Sequence, residues 1–269
     1  MIINISSIKR PVKFTLGSII IFLVSVFAAY SQQIQKMNMD TSVTKVKGMQ
    51  DKKTMKDMDS QIMMPMPFFT HMAMPLDVGS FNVRAALLPT QMDGKTSTEF
   101  NLQFTTGLSK TVGLFLGAEG AFDAPTLEAM FQFLVWKSKN GMNAFSPIIE
   151  FEFPLAKDAE RKVYTLVGFA TTISNSKIAF NQVLHYSPLE DLAEGSVSLV
   201  AKVSSRIFLV AEISGVTQKG EGPIFNLLGG VKIKLNKNFM IGIGYQHPVT
   251  SNREFSSQYI IQPDISWRR

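Results

Sequence analysis

The side chains best suited to hold something lie in Met63-Met64-Pro65-Met66-Pro67-Phe68-Phe69-Thr70-His71-Met72-Ala73-Met74-Pro75. Thioether sulfur is a soft ligand that suits Cu(I), and imidazole is a borderline partner. Met63, Met64, Met66, His71, Met72 and Met74 are therefore the candidate metal ligands, with Cu(I) as the candidate ion. Met-x-Met spacing lets two sulfurs reach one ion without a rigid scaffold. Three prolines forbid a regular helix or a central strand here. Methionine is also a pliable apolar filler, so the stretch reads equally well as packing, or as a plug for whatever follows it. A metal-gathering tail would also carry more histidine than His71 alone.

Other reactive chemistry is sparse. The histidines are His71, His185 and His247, and there is no cysteine. That removes disulfides, thiolate metal sites and a cysteine nucleophile. Glu150 and Glu152 stand two apart on one polar face. Such a pair could serve acid–base chemistry, but it more commonly lines a wet interior or pairs with lysines. Gly242-Ile243-Gly244 lies in a strand pattern, where it marks small inward side chains and not a phosphate cradle. No serine-centred nucleophile motif is present, so the chain is expected not to be an enzyme.

The elements that must position these residues are short alternating segments between Phe81 and Trp267. In Glu99–Leu108, Phe100, Leu102, Phe104 and Thr106 share one face, and Glu99, Asn101, Gln103 and Thr105 the other. Period-two alternation describes a strand with two environments. Asp93-Gly94 is a hairpin signal joining it to Phe81–Leu88. The pattern recurs to the end of the chain, with Ala129, Phe131, Phe133 and Val135 opposing Met130, Gln132, Leu134 and Trp136. It gives about twelve strands of a length that fits a tilted membrane crossing. Short turns near Ser109-Lys110, Asn175-Ser176, Ser204-Ser205 and Asn236–Asn238 contrast with longer connections at 121–127, 187–195 and 247–256.

The fold expected is all-β: a closed antiparallel transmembrane β-barrel of about twelve strands behind an unstructured N-terminal tail. Closure follows because lipid offers no partner for an open strand edge. The polar faces supply the lumen-lining candidates. The acidic ones are Glu119, Glu150, Glu152, Glu212 and Asp264; the basic ones are His185, Lys202, Lys232 and Lys234.

Composition agrees. Charged residues make up 18% of the chain, below the roughly 25% of ordinary soluble proteins. The net charge of +6 falls to +3 once Lys9, Arg10 and Lys13 are removed with a leader. That leaves little case for nucleic acid, and no arginine-rich helix supports one. Those three basic residues precede the apolar run Leu16–Ala29, and Ala28, Ala29 and Ser31 follow as small residues. This is a secretory signal. The expected organisation is 1–31 signal peptide, 32–79 Met-rich periplasmic tail and 80–269 outer-membrane barrel.

The Ser-Gln-Gln ending of the leader resembles leaders of Bacteroidota. Ten of the fifteen methionines fall between Met37 and Met74, ahead of the barrel. This order of parts resembles the CopB-type copper-resistance barrels of Gram-negative outer membranes, although their repeated Met-His-Asp clusters are missing. The resemblance implies handling of copper or another soft metal. Trp267, near the C-terminus, resembles the aromatic-terminated closing strand read by the barrel assembly machinery, with Arg268-Arg269 as a departure. The function expected is passage or handling of a small solute or metal ion, with outer-membrane lipid as the surround. The alternatives are a structural or adaptor barrel without flux, and a soluble periplasmic β-barrel or sandwich.

Overall fold

The computed structural model describes residues 64–120, 125–155 and 162–268. The leader, Met63 and most of the charged 157–162 turn lie outside these residues. The strand segments are β1 (Ser80–Met92), β2 (Lys95–Gly107), β3 (Val112–Glu119), β4 (Thr126–Phe133), β5 (Trp136–Lys137), β6 (Asn143–Pro154), β7 (Tyr164–Ser174), β8 (Ile178–Ser187), β9 (Leu192–Lys202), β10 (Ile207–Gln218), β11 (Ile224–Lys234), β12 (Phe239–Pro248) and β13 (Ser257–Arg268). Chain neighbours pair antiparallel except β4 with β5, both of which pair with β6, and β1 pairs with β13. The sheet is thereby a closed ring of twelve staves, because the two-residue β5 continues β4 along the same neighbour.

The join between β4 and β5 corrects one expectation. Phe131 stands opposite Ile149 on β6, whereas Trp136 stands opposite Phe145. The pairing has slipped by one residue, as a bulge requires. A one-residue slip reverses every later side chain. Trp136 therefore leaves the face it was expected to share with Met130 and Gln132: those two are buried inside, and Trp136 is exposed outside.

β10 shows why this ring belongs in a membrane. Phe208, Val210 and Glu212 are 0%, 3% and 2% exposed, while Leu209 and Ile213 are 49% and 53% exposed. A soluble strand would bury the leucine and show water the glutamate. Here a charged group is enclosed and the aliphatics face out. The same holds around the ring, with Leu102, Leu116, Ile149, Val167, Leu199, Ile243 and Ile261 all exposed. An outward apolar band over a polar interior is the pattern of a transmembrane barrel of the outer-membrane kind.

The two ends differ. The connections 108–111, 138–142, 175–177, 203–206 and 235–238 are short and lie at the end holding Ser80 and Arg268. The opposite end carries Glu119, Thr126, Pro154 and Tyr164 at the ends of β3, β4, β6 and β7, the connections 188–191, 219–223 and 249–256, and one two-residue hairpin. That hairpin is Asp93-Gly94, with φ of 48° and 77°, the left-handed pair that matches strand twist in a tight turn.

Candidate functional site

Residues 64–79 do not hang below the barrel as the final part of a free tail. They run inside it. Phe68, Thr70, Met72 and Ala73 are buried, and their backbone groups bond to side chains pointing inward from the wall. Proline-broken chain cannot satisfy its own peptide groups, so the lumen must do so. The reason this stretch is ordered is thus the polar inner face of the barrel itself.

The grip is tightest at Phe68–Thr70. The Glu212 carboxylate on β10 accepts the backbone N–H of Phe68, that of Phe69 at 3.1 Å and that of Thr70 at 2.9 Å, and the Thr70 hydroxyl at 3.0 Å. Hydrogen bonds to a charged group each contribute about 1.5–3 kcal/mol. From the opposite sign, Arg84 on β1 donates to Pro67 O at 3.0 Å and to Gln103. Lys232 on β11 donates to Pro67 O at 3.0 Å and to Gln262 Oε1 at 2.8 Å, and lies 3.9 Å from Asp264. Gln262 Nε2 donates to Phe68 O at 3.2 Å. A second set of bonds holds the following residues. Gln132 donates to Met72 O, Ser146 donates to Ala73 O, and Ala73 N donates to Thr172 Oγ1.

The Phe68 ring fits a bay made by glycines. A Cβ added at Gly230 or Gly242 would stand 2.5 Å or 2.7 Å from the ring, and at Gly244 it would stand 3.4 Å away. The Gly-x-Gly of β12 thus serves as a recess, in agreement with small inward side chains. Lys232 Nζ sits 4.9 Å from the centre of the same ring, a cation–π distance.

Beyond the plug, towards the longer connections, lies a chamber of about 300 Å³. Its wall carries Glu119 from β3, Glu128 from β4, Glu150 and Glu152 from β6 and Glu194 from β9. The basic groups lining it are Arg84, His71 and His185, and Arg84 is already engaged by the plug. His185 Nδ1 lies 2.9 Å from Glu150 Oε2 and 3.0 Å from Glu194 Oε1. His71 reaches the chamber from the plug, packed edge-on against Phe115 at 4.9 Å between ring centres. Its Nδ1 is buried without a hydrogen-bond partner. Burial, with nearby Arg84 and His185 adding to it, holds its pKa well below the usual histidine value.

The expected lumen residues are brought together in two groups. Glu119, Glu150, Glu152 and His185 line the chamber. Glu212, Lys232 and Asp264 hold the plug or its partners. Lys234 lines a second cavity of about 330 Å³ at the end holding Ser80 and Arg268, and Lys202 shares the inner face with Phe208, its partner across β9 and β10. The expected metal ligands are split. Met64 packs with Phe68 in one apolar cluster, and Met66 and Met74 pack against another around Phe115 and Met130.

Glu128, Glu194, Arg84 and Gln132 were not among the expected site residues. Extending the period-two pattern back from Gln132 and Met130 reaches Glu128, and back from Ser198 and Ser196 reaches Glu194. Both glutamates lie third in their strands, where few alternating residues precede them.

No protein-family model matches the sequence, and no curated protein matches it. Among solved structures the fold is similar to a KdgM porin, with TM-score 0.55 and 9% identity over 70% of this chain and 99% of that one. It is similar to a NanC porin at TM-score 0.53 and 8% identity, over 70% and 100% of the two chains. It is also similar to an outer-membrane channel from Pseudomonas putida F1 at TM-score 0.55 and 9% identity, over 72% and 98%. At these identities the likeness is one of fold.

Proposed function

We propose that this barrel is an outer-membrane channel for a small cationic solute, with residues 64–79 as its resident plug. The observation that carries the proposal is the acidic chamber: five glutamates face a water-accessible space whose basic groups are few and partly engaged. Clustered charge of one sign inside low-dielectric walls concentrates the opposite ion. Similar solved structures are porins and channels, one of them a KdgM porin in complex with disordered oligogalacturonate. They support passage of solutes but do not select this solute. With the short turns, Ser80 and Arg268 at one end, the plug enters from the periplasmic side and the chamber faces outward. Outer-membrane lipid surrounds the band, and the barrel assembly machinery is the proposed partner for insertion.

Single-channel recording in planar bilayers tests this. The full chain should give small, cation-selective conductance, and deletion of residues 64–75 should raise it several-fold. Silence from both proteins, each inserted and heat-modifiable on a gel, would favour an adaptor barrel without flux. Anion selectivity would overturn the choice of solute.

The soft-metal reading has one observation in its favour. His71 keeps a buried, unpartnered Nδ1 beside Met72, with Met66 and Met74 packed against the cluster that contains Phe115. In that reading Cu(I) is cargo taken by Met66, His71, Met72 and Met74, with Met64 standing apart in the Phe68 cluster. Titration of the Met63–Pro75 peptide decides it: affinity no better than that of free methionine removes Cu(I).

A further inference from the structure

We infer that Glu150, His185 and Glu194 form a binding site for a borderline divalent cation such as Zn²⁺, distinct in ligands and place from the methionine segment. The three residues come from β6, β8 and β9. The register that sets them side by side is continuous: β6 pairs with β7, β7 with β8, and His185 stands directly opposite Glu194.

The geometry is that of ligands around a shared point. One ligand atom from each residue lies within 4.8 Å of the other two. His185 Nδ1 is 2.9 Å from Glu150 Oε2 and 3.0 Å from Glu194 Oε1. Two ligands bound at about 2.0–2.1 Å and set at right-angled to tetrahedral angles are about 2.9–3.4 Å apart. Both His185–carboxylate separations therefore already match the spacing of two ligands on one ion.

The protein leaves these groups short of partners. Nδ1 carries at most one proton, yet two carboxylate oxygens lie at hydrogen-bonding distance from it. The contact with Glu194 is aligned as a hydrogen bond, and Glu150 Oε2 is buried without a hydrogen-bond partner. The Glu150 side chain is 9% exposed and that of His185 6%. His185 Nε2 is also buried and unpartnered. A buried carboxylate oxygen without a donor is costly, and an ion between the three groups would remove that cost. Glu119, Glu128 and Glu152 line the same chamber and add negative potential without adding a base. The remaining coordination positions would face chamber water.

The donor set selects the ion class. One imidazole and two carboxylates suit Zn²⁺ or Mn²⁺ better than Cu(I), which prefers thioether or thiolate. Mg²⁺ tolerates imidazole poorly and dehydrates reluctantly. The inference deepens the proposed cation channel, but the site stands whether or not ions flow.

The test is calorimetric titration of Zn²⁺ into the purified full-length barrel in detergent, where no flux is measured. One Zn²⁺ per barrel is expected, with Mn²⁺ weaker and Mg²⁺ without heat. Glu194→Gln and His185→Asn should each weaken binding at least tenfold while keeping heat-modifiable migration. Should either variant misfold, the Co²⁺ spectrum of the native barrel decides: visible bands of nitrogen and oxygen ligation, with no sulfur charge-transfer band, support the site. Replacement of Met64, Met66, Met72 and Met74 by leucine should leave Zn²⁺ binding unchanged. Binding that survives Glu194→Gln together with His185→Asn, or that vanishes with the methionines, overturns the assignment. Cation conductance without Zn²⁺ binding would sink this site alone, and Zn²⁺ binding in a silent barrel would sink only the channel.

Discussion

The two sides of the lumen carry comparable numbers of charges and use them differently. On β10, β11, β13 and β1, Glu212, Lys232, Asp264 and Arg84 are of mixed sign, and three of them bond directly to the peptide groups of Pro67–Thr70. On β3, β4, β6 and β9 the five glutamates are of one sign and surround open space. Mixed charge with fixed partners orders a peptide. An excess of one sign, met in part by His185 beside Glu150 and Glu194, draws a mobile ion of the opposite sign. The first wall is a structural solution to enclosing an irregular chain, and the second is the wall on which the proposed cation site rests.

Substitutions should separate these walls. The largest effect is expected from Glu212→Ala, which leaves three N–H groups and one hydroxyl without their acceptor. An unsatisfied buried group costs about 1–3 kcal/mol, so the plug should leave the lumen and the segment near Phe68–Phe69 should become cleavable by chymotrypsin. Glu150→Ala should leave the same bonds protected. Equal protease sensitivity of the two variants would erase the distinction between the walls.

A smaller effect should follow Gly242→Val. Its side chain would enter the Phe68 bay, and overpacking of that kind costs about 1–3 kcal/mol. Gly229→Ala, with nothing within 4 Å of the added carbon, is the matched control. Unchanged heat stability in both would mean that Phe68 is not seated there.

The smallest effect concerns pH. His71 has a docked pKa well below its ordinary 6.5, so docking favours the neutral ring. The contribution is complete above about pH 6.5 and is lost as pH falls below it, because the released segment takes up the proton. Conductance should therefore rise on acidification, and less so in His71→Gln. The chamber glutamates are the same in both proteins, so the difference between them isolates His71. Identical pH profiles would remove the histidine from plug retention.

The barrel was legible because each strand writes its two faces in alternate residues. Leu199 against Ser198, or Ile243 against Gly242, needs no knowledge of the neighbouring strand. The plug was not legible, because its structure is not local. Phe69 and Thr70 meet Glu212 across more than 140 residues, and no period in the sequence announces such a pairing. The segment's prolines correctly excluded helix and strand without saying that a wall would supply the missing bonds. The lumen candidates were largely placed by parity alone. Glu128 and Glu194 escaped because they sit at strand starts, where alternation has too few residues to declare itself. Trp136 failed for the opposite reason: alternation was followed across a bulge that resets it.

The seam between β1 and β13 is the one place where the ring is joined by strands at opposite ends of the chain. Arg84 from the first of these strands and Gln262 from the last both donate to the backbone at Pro67–Phe68, so the enclosed segment laces the seam from within. Asn82 adds a direct stitch to Asp264. Parting the wall sideways into the bilayer would mean undoing those stitches first. The enclosed peptide is in this sense also a clasp, and its release would leave the hoop easier to prise open as well as hollow.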